Sequence, residues 1–183
     1  MVEPSPGILL IADPFLKDPN FVRTVVFLCE HHEKGSFGFV LNKEYELKLD
    51  ELITGMEGHQ LKVFYGGPVQ PDTIHFLHQY PELIPDSYKI SKDIYWGGNF
   101  ETLSALIKSK SVNTDKIKLF IGYSGWGEGQ LNIELKERSW LTVSATRKLV
   151  FNTRHNEVWK HSLQHLGGEY EIMINFPIDP QLN

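Results

Sequence analysis

The chain has 183 residues, of which 41% are hydrophobic, 12% aromatic and 22% charged, a composition typical of globular domains. Its single cysteine excludes an intrachain disulfide, and no stretch reaches the roughly 18 apolar residues of a membrane span. The formal charge of −5 excludes a strongly basic chain, and the composition excludes membrane, disulfide-rich secreted, fibrous and disordered classes.

A chain of this length buries enough surface to fold as one domain, which we expect to cover residues 1–183. Its lone cysteine is typical of a reducing compartment, and the first seven residues lack the basic region of a secretory signal. We therefore expect a cytoplasmic protein without a membrane association.

The first half of the chain predicts strands joined largely by hairpins. Apolar and β-branched runs predict strands over residues 7–12, 21–29, 37–41, 61–65, 73–77 and 88–96, with a turn at 33–36 and a short helix over 50–56.

The second half mixes helices and strands. Asn99 and Thr153 are N-cap candidates, and the predicted elements are helices over 100–109, 128–139 and from 153 to 166, strands over 116–123, 140–144 and 170–176, and a glycine-rich turn at 124–127. Strands outnumber helices without a regular βαβ alternation, which favours an α+β fold with a largely antiparallel sheet.

The segment G-Y-S-G-W-G-E-G-Q at residues 122–130 has the strand–turn–helix context of several catalytic loops. It is not a nucleophile elbow, because Trp126 stands where G-x-S-x-G needs its last glycine. It lacks the lysine of a Walker loop, and Gln130 replaces the third glycine of a dinucleotide fingerprint. A catalytic Ser124, a small-anion site at the following helix and a purely structural turn remain open.

The eight histidines raise the question of a metal site. His75 and His78 are three apart on a predicted strand and so face opposite ways, which defeats chelation. His161 and His165 share a helix face but lack the glutamate of H-E-x-x-H. We expect no metal and no cofactor.

Cys29 is followed by Glu30, His31 and His32 at the end of a predicted strand. A thiol beside imidazoles can have a lowered pKa and act as a nucleophile or redox sensor. On a regular strand His31, two residues along, would share a face with Cys29. The alternative is a buried structural cysteine before a polar loop.

Residues 136–160 hold six basic and two acidic side chains, against a charge of −6 over residues 1–90. The cluster is either a local patch or an ordinary solvated surface. An acidic chain without a basic arm is a poor candidate for direct DNA binding, since that affinity comes from neutralising phosphates.

Six short motifs in order resemble the YqgE/AlgH family of bacterial proteins. They are K-D-P-N-F at 17–21, V-V-F-L-C-E-H at 25–31, G-F-V-L-N at 38–42, Y-G-G-P-V at 65–69, G-Y-S-G-W-G-E-G-Q-L at 122–131 and S-W-L-T at 139–142. Residues 143–146 read V-S-A-T where family members often have T-A-P-A.

The resemblance implies an α+β fold in which a bent, mixed and largely antiparallel sheet closes into a pseudo-barrel, in a bacterial cytoplasm. Part of the family is labelled as transcriptional regulators of alginate synthesis. The family often has alanine at the position of Ser124, which weakens the interpretation of that serine as catalytic.

Our hypothesis is a non-enzymatic regulatory or binding protein with a small-molecule or protein partner. Glycine permits close backbone approach, so glycine-bearing strand ends suit a cleft. The candidate cleft residues are Cys29, Glu30, His31, Asn42, Gly66, Gly67, Pro68, Tyr123, Ser124, Gly125 and Trp126.

Three other interpretations stay open. In the first, the glycines only turn the corners of a curved sheet. In the second, the 136–160 cluster contacts DNA in a transcriptional regulator. In the third, the Cys29 thiol makes the protein an enzyme or redox sensor.

Overall fold

The computed structural model describes residues 1–178, in which nine strands form one sheet. The strands are β1 (Ile8–Ala12), β2 (Val25–His32), β3 (Gly35–Val40), β4 (Val63–Tyr65), β5 (Val69–His78), β6 (Tyr88–Ser91), β7 (Ile94–Trp96), β8 (Ile117–Trp126) and β9 (Trp140–Ser144). Their spatial order is β6-β7-β5-β8-β3-β2-β1-β9, and β4 also pairs with β8. Among the strands of residues 1–178, only β4 and β8 pair in parallel, so the predicted mixed, largely antiparallel sheet of an α+β fold is confirmed.

The sheet is bent but does not close into a barrel. Ile90 and Ile94, near one end of the strand order, share a buried cluster with Leu9 and Val143 at the other end. Within the described chain, however, no hydrogen-bonded pairing joins β6 to β9. The sheet of the described residues is therefore not a closed barrel, although side-chain packing brings its two ends onto one core.

Side chains of the strands alternate between the two faces of the sheet, and each face packs against its own hydrophobic cluster, here called the inner and the second cluster. Val25 and Phe27 of β2 belong to the inner cluster, whereas Val26 and Leu28 face a second cluster on the other side of the sheet. This is the period-2 pattern expected of a strand buried on both faces.

In the described part of the chain, four α-helices cover the sheet: α1 (Leu49–Leu52), α2 (Phe100–Lys108), α3 (Gln130–Lys136) and α4 (Val158–Leu166). Asn99 caps α2 as predicted, because its Oδ1 accepts a hydrogen bond from the Thr102 amide at 2.8 Å. Leu131 of α3 joins the second cluster, and Leu163 of α4 joins the inner one. Within residues 1–178, no helix has the length and apolarity needed to cross a membrane.

The predicted strand over residues 170–176 is wrong, since Gly168–Asn175 forms a 3-10 helix. Tyr170, Met173 and Ile174 pack against the inner cluster, while Ile172 is exposed. The contacting positions are three and four apart, so a helical period decides this segment despite its alternating letters.

Three further differences affect the sheet and its flanks. The predicted strand over 88–96 is two strands, β6 and β7, which turn at Asp93 with a φ of 63°. The predicted turn at 124–127 is largely strand, because β8 continues to Trp126. A π-helix, Lys148–Asn152, lies before α4, which itself begins five residues later than predicted at Val158.

Candidate functional site

The β2–β3 hairpin carries the first candidate residues and contains a bulge. Leu28 pairs with Gly38 and Glu30 pairs with Phe37, so Cys29 is left without a partner in β3. A bulge shifts the alternation of side chains by one residue. Glu30, not His31, therefore lies on the same face as Cys29, and the expected sharing of a face by Cys29 and His31 is wrong.

The Cys29 thiol is fully buried in the inner cluster, with its Sγ 3.8 Å from the Phe27 carbonyl oxygen. Burial raises the pKa of the Cys29 thiol well above its usual range, and the negative charge of Glu30 raises it further. Because the thiolate is the reactive form, this environment disfavours the thiol as a nucleophile or redox sensor.

A cavity of about 520 Å³ opens beside the hairpin, at the end of β8. Among its lining residues, four rings from four different strands contact one another: Phe37 of β3, His75 of β5, Trp96 of β7 and Tyr123 of β8. The Phe37 ring centroid lies 4.9 Å from that of Trp96 and 5.8 Å from that of Tyr123. We call this space the aromatic cavity.

The polar border of the aromatic cavity lies on the hairpin. Glu30 lines it, and its Oε2 is 3.2 Å from Nε2 of His32. His31 is on the other face, where its Nδ1 is 2.7 Å from the Ser36 hydroxyl. Burial lowers the pKa of His75, which favours its neutral form at pH 7. Glu30 is therefore the carboxylate that sets the charge of this border.

Gly66 and Gly67 contact β8 rather than the cavity. A Cβ at Gly67, whose φ is 153°, would overlap the backbone of Tyr123 and Ser124, and one at Gly122 would overlap the Gly67 carbonyl. Here glycine is needed for close backbone approach. Pro68 follows at an exposed position.

Ser124 and Trp126 also make structural contacts. The buried Ser124 hydroxyl donates to the Gly66 carbonyl oxygen at 3.0 Å, which occupies the oxygen proposed as a nucleophile. The Trp126 and Trp140 indoles each donate to Oε2 of Glu134 at 2.8 Å. Two charge-assisted bonds on one carboxylate hold α3 against the sheet.

Asn42 lies past the other end of β3 and ties the chain before β2 to the sheet. Its Oδ1 accepts from the Val25 amide at 2.9 Å and its amide nitrogen donates to the Arg23 carbonyl oxygen at 2.8 Å. Of the candidate cleft residues, only Glu30, Tyr123, Gly125 and Trp126 border the aromatic cavity. The remaining seven lie outside its lining.

The sequence reasoning missed three of the four rings, those of Phe37, His75 and Trp96, and it missed Glu134. Phe37 and Phe39 are two residues apart in the strand predicted over 37–41, a spacing that places both side chains on the same face. The others are far apart in the chain, so only the strand order brings them together.

Two further sets of candidates are not gathered into a site. Among residues 1–178, no three His, Cys, Asp or Glu side chains come together as metal ligands. In the basic 136–160 cluster, Arg147 lies 3.9 Å from Asp93 and Arg154 lines a different cavity.

Comparison with known proteins agrees with this geometry at the level of the fold. A solution structure of AlgH from Pseudomonas aeruginosa is 28% identical, with a TM-score of 0.76 over 97% of this chain and 98% of that one. A crystal structure of a Corynebacterium diphtheriae protein has a TM-score of 0.78 at 20% identity, covering 96% of this chain and 94% of that one, and shows the shared fold alone.

Sequence relatives cover almost the whole chain. A UPF0301 protein of Chlorobium limicola is 44% identical over 178 residues, which are 97% of this chain and 95% of that protein. A UPF0301 protein of Cytophaga hutchinsonii is 40% identical over 178 residues, 97% and 98% of the two chains. The AlgH-like family model matches residues 9–171, and the chain belongs to that family.

Proposed function

We propose that the chain is a non-enzymatic, regulatory binding protein of the bacterial cytoplasm that takes a planar small molecule bearing an amino group into the aromatic cavity. One observation carries the proposal: four partly exposed rings and one carboxylate converge from five strands on a single opening. Phe37, Trp96 and Tyr123 pack against the inner cluster on one side, and their exposed parts border the opening.

The size and lining of the cavity support a small-molecule ligand. Its volume of about 520 Å³ lies within the ~300–1,000 Å³ typical of small-molecule sites. Such sites combine mostly apolar walls with a few polar groups that orient the ligand. Phe37, Trp96 and Tyr123 supply the walls, and Glu30 with His32 supplies the polar border.

The charge of the border supports an amine. Glu30 is the carboxylate of the lining, and burial favours the neutral form of His75. A ligand ammonium would gain from Glu30 and from the ring faces, to which cations are attracted. A carboxylate ligand would face Glu30 with the same charge.

Direct DNA binding is supported less. The basic 136–160 residues are spread between an ion pair with Asp93 and the lining of another cavity, and the net charge of the chain is −5. Nucleic-acid affinity needs a concentrated basic face.

The test uses two probes with the same ring and chain length, tryptamine and indole-3-propionate, titrated into ¹⁵N-labelled protein and followed by calorimetry. We expect tryptamine to shift the indole N–H resonance of Trp96 and to bind about tenfold more tightly, the equivalent of about 1.4 kcal/mol. Glu30→Gln should remove this preference, whereas Glu101→Gln, at an exposed position of α2, should keep it.

Equal affinities for the two probes would overturn the charge argument. A Trp96 resonance that does not move at saturating tryptamine would overturn the placement of the site.

A further inference from the structure

A second and larger cavity, of about 710 Å³, borders the opposite end of β8. Lys118 lies in its lining although the side chain is only 6% exposed. Its neighbours in the lining come from β4 and from the segment between the π-helix and α4. We call this space the lysine cavity.

Lys118 has little to compensate its charge. Its Nζ donates to the Val150 carbonyl oxygen at 3.1 Å and lies 4.1 Å from the centroid of the Phe64 ring. Within residues 1–178 it forms no ion pair with a carboxylate. Burial lowers the pKa of Lys118 to about 7, so a large fraction of this amine is neutral near neutral pH.

The other charged groups of the lysine cavity are mostly basic. Lys62, Arg154 and His155 line it, together with Asp115. Glu44 holds two of the basic groups, with its Oε2 3.5 Å from the Lys62 Nζ and 3.3 Å from Nδ1 of His155. Arg154 also lines the cavity and, within residues 1–178, forms no ion pair, which suits an anionic group on a ligand.

We propose that Lys118 is a carbonyl-binding site, whose amine forms an imine with an aldehyde or ketone that carries an anionic group bound near Arg154. The neutral Nζ attacks the carbonyl carbon, a C–N bond forms, and the carbonyl oxygen takes up a proton to give a carbinolamine. Loss of the hydroxyl with a proton then yields the C=N bond and one water molecule. The step needs no oxidant or reductant.

A neutral lysine amine is the nucleophile of Schiff-base chemistry, and desolvation is one way proteins produce it. This function is independent of the amine site proposed for the aromatic cavity.

The test labels the full chain at about pH 7 with 4-carboxybenzaldehyde or with its neutral methyl ester, followed by cyanoborohydride reduction and peptide mapping. We expect Lys118 to be the fastest-labelled lysine, and the acid to label it about tenfold faster than the ester. Arg154→Gln should remove the advantage of the acid while leaving labelling by the ester unchanged. Exposed lysines should approach the rate of Lys118 as the pH rises toward 10, because they then become neutral as well.

Lys118→Arg keeps a basic side chain and should lose the label at this position, while Lys89→Arg, at an exposed position of β6 outside the cavity, should keep it. Peptide mapping of the labelled chain without substitutions is decisive even where a variant folds poorly. Label spread over exposed lysines without enrichment at Lys118, or equal rates for the acid and its ester, would overturn the proposal. Reversible binding of the acid without any reduced adduct at Lys118 would overturn it too.

Discussion

The two cavities on β8 differ in the charged residues that line them. At the beginning of the strand, Lys118 is buried beside Phe64 with a backbone carbonyl as its partner, and Arg154 lies nearby. At the end of the strand, Tyr123 belongs to a set of rings whose border carries the Glu30 carboxylate. One strand therefore borders a mostly basic cavity and a cavity with a carboxylate at its border, and the ligands proposed for them differ in charge more than in size.

The largest effect on the free energy of unfolding is expected at Gly67, which packs closely against the backbone of β8. Gly67→Ala places a Cβ into the backbone of Tyr123 and Ser124 at a φ of 153°. Overpacking and backbone strain together should cost about 4 kcal/mol of unfolding free energy, measured by urea denaturation. The aromatic cavity should lose tryptamine binding as well.

Gly58→Ala is the matched control, because its φ of 82° is also positive but nothing lies within 4 Å of the added Cβ. It should cost only the ~1–2 kcal/mol of left-handed backbone strain. Equal costs for the two substitutions would mean that the close contact at Gly67 does not hold β8.

The second prediction concerns the charge of Lys118. Its pKa is about 7 in the folded chain and near 10.5 when unfolded, so the unfolded state binds more protons between these values and stability rises with pH there. Lys118→Met removes this rise. Between about pH 7 and pH 9, the unfolding free energy of the original chain should gain roughly 2–3 kcal/mol relative to the variant.

Parallel pH profiles for the two proteins would show that Lys118 is protonated and solvated in the folded state. Lys62→Met serves as the control, since this exposed lysine already pairs with Glu44 at 3.5 Å. Its profile should follow that of the original chain.

Much of the fold could be predicted where local signals decide it. Strand β9 has its predicted bounds, and Asn99 caps α2 because the cap acts within three residues. Residues 170–176 could not be predicted locally, because their alternation is that of a strand while the core contacts follow a helical spacing. The bulge at Cys29 is likewise set by pairing with β3.

The candidate sites show the same limit. The motif around Tyr123 is visible in the sequence, but Phe37, His75 and Trp96 join it only through the strand order. Lys118 alternates with Lys116 in the sequence and so looks like part of a solvated strand face. The Val150 carbonyl and the Phe64 ring that bury it come from distant segments.

The smallest effect on stability is expected from a substitution of His32, which lies beside Glu30 at the border of the aromatic cavity. Its Nε2 lies 3.2 Å from Oε2 of Glu30, and its side chain is 61% exposed, so the pair contributes little to stability. His32→Gln should change the unfolding free energy by less than about 0.5 kcal/mol, yet tighten tryptamine binding about twofold because Glu30 loses a competitor. His161→Gln, which removes a similar exposed pair with Glu157 at 3.6 Å on the far helix, should leave tryptamine binding unchanged in the same calorimetric titration. Weaker binding by His32→Gln would instead make the imidazole a contact of the ligand, and the carboxylate would no longer account for the selectivity of the aromatic cavity by itself.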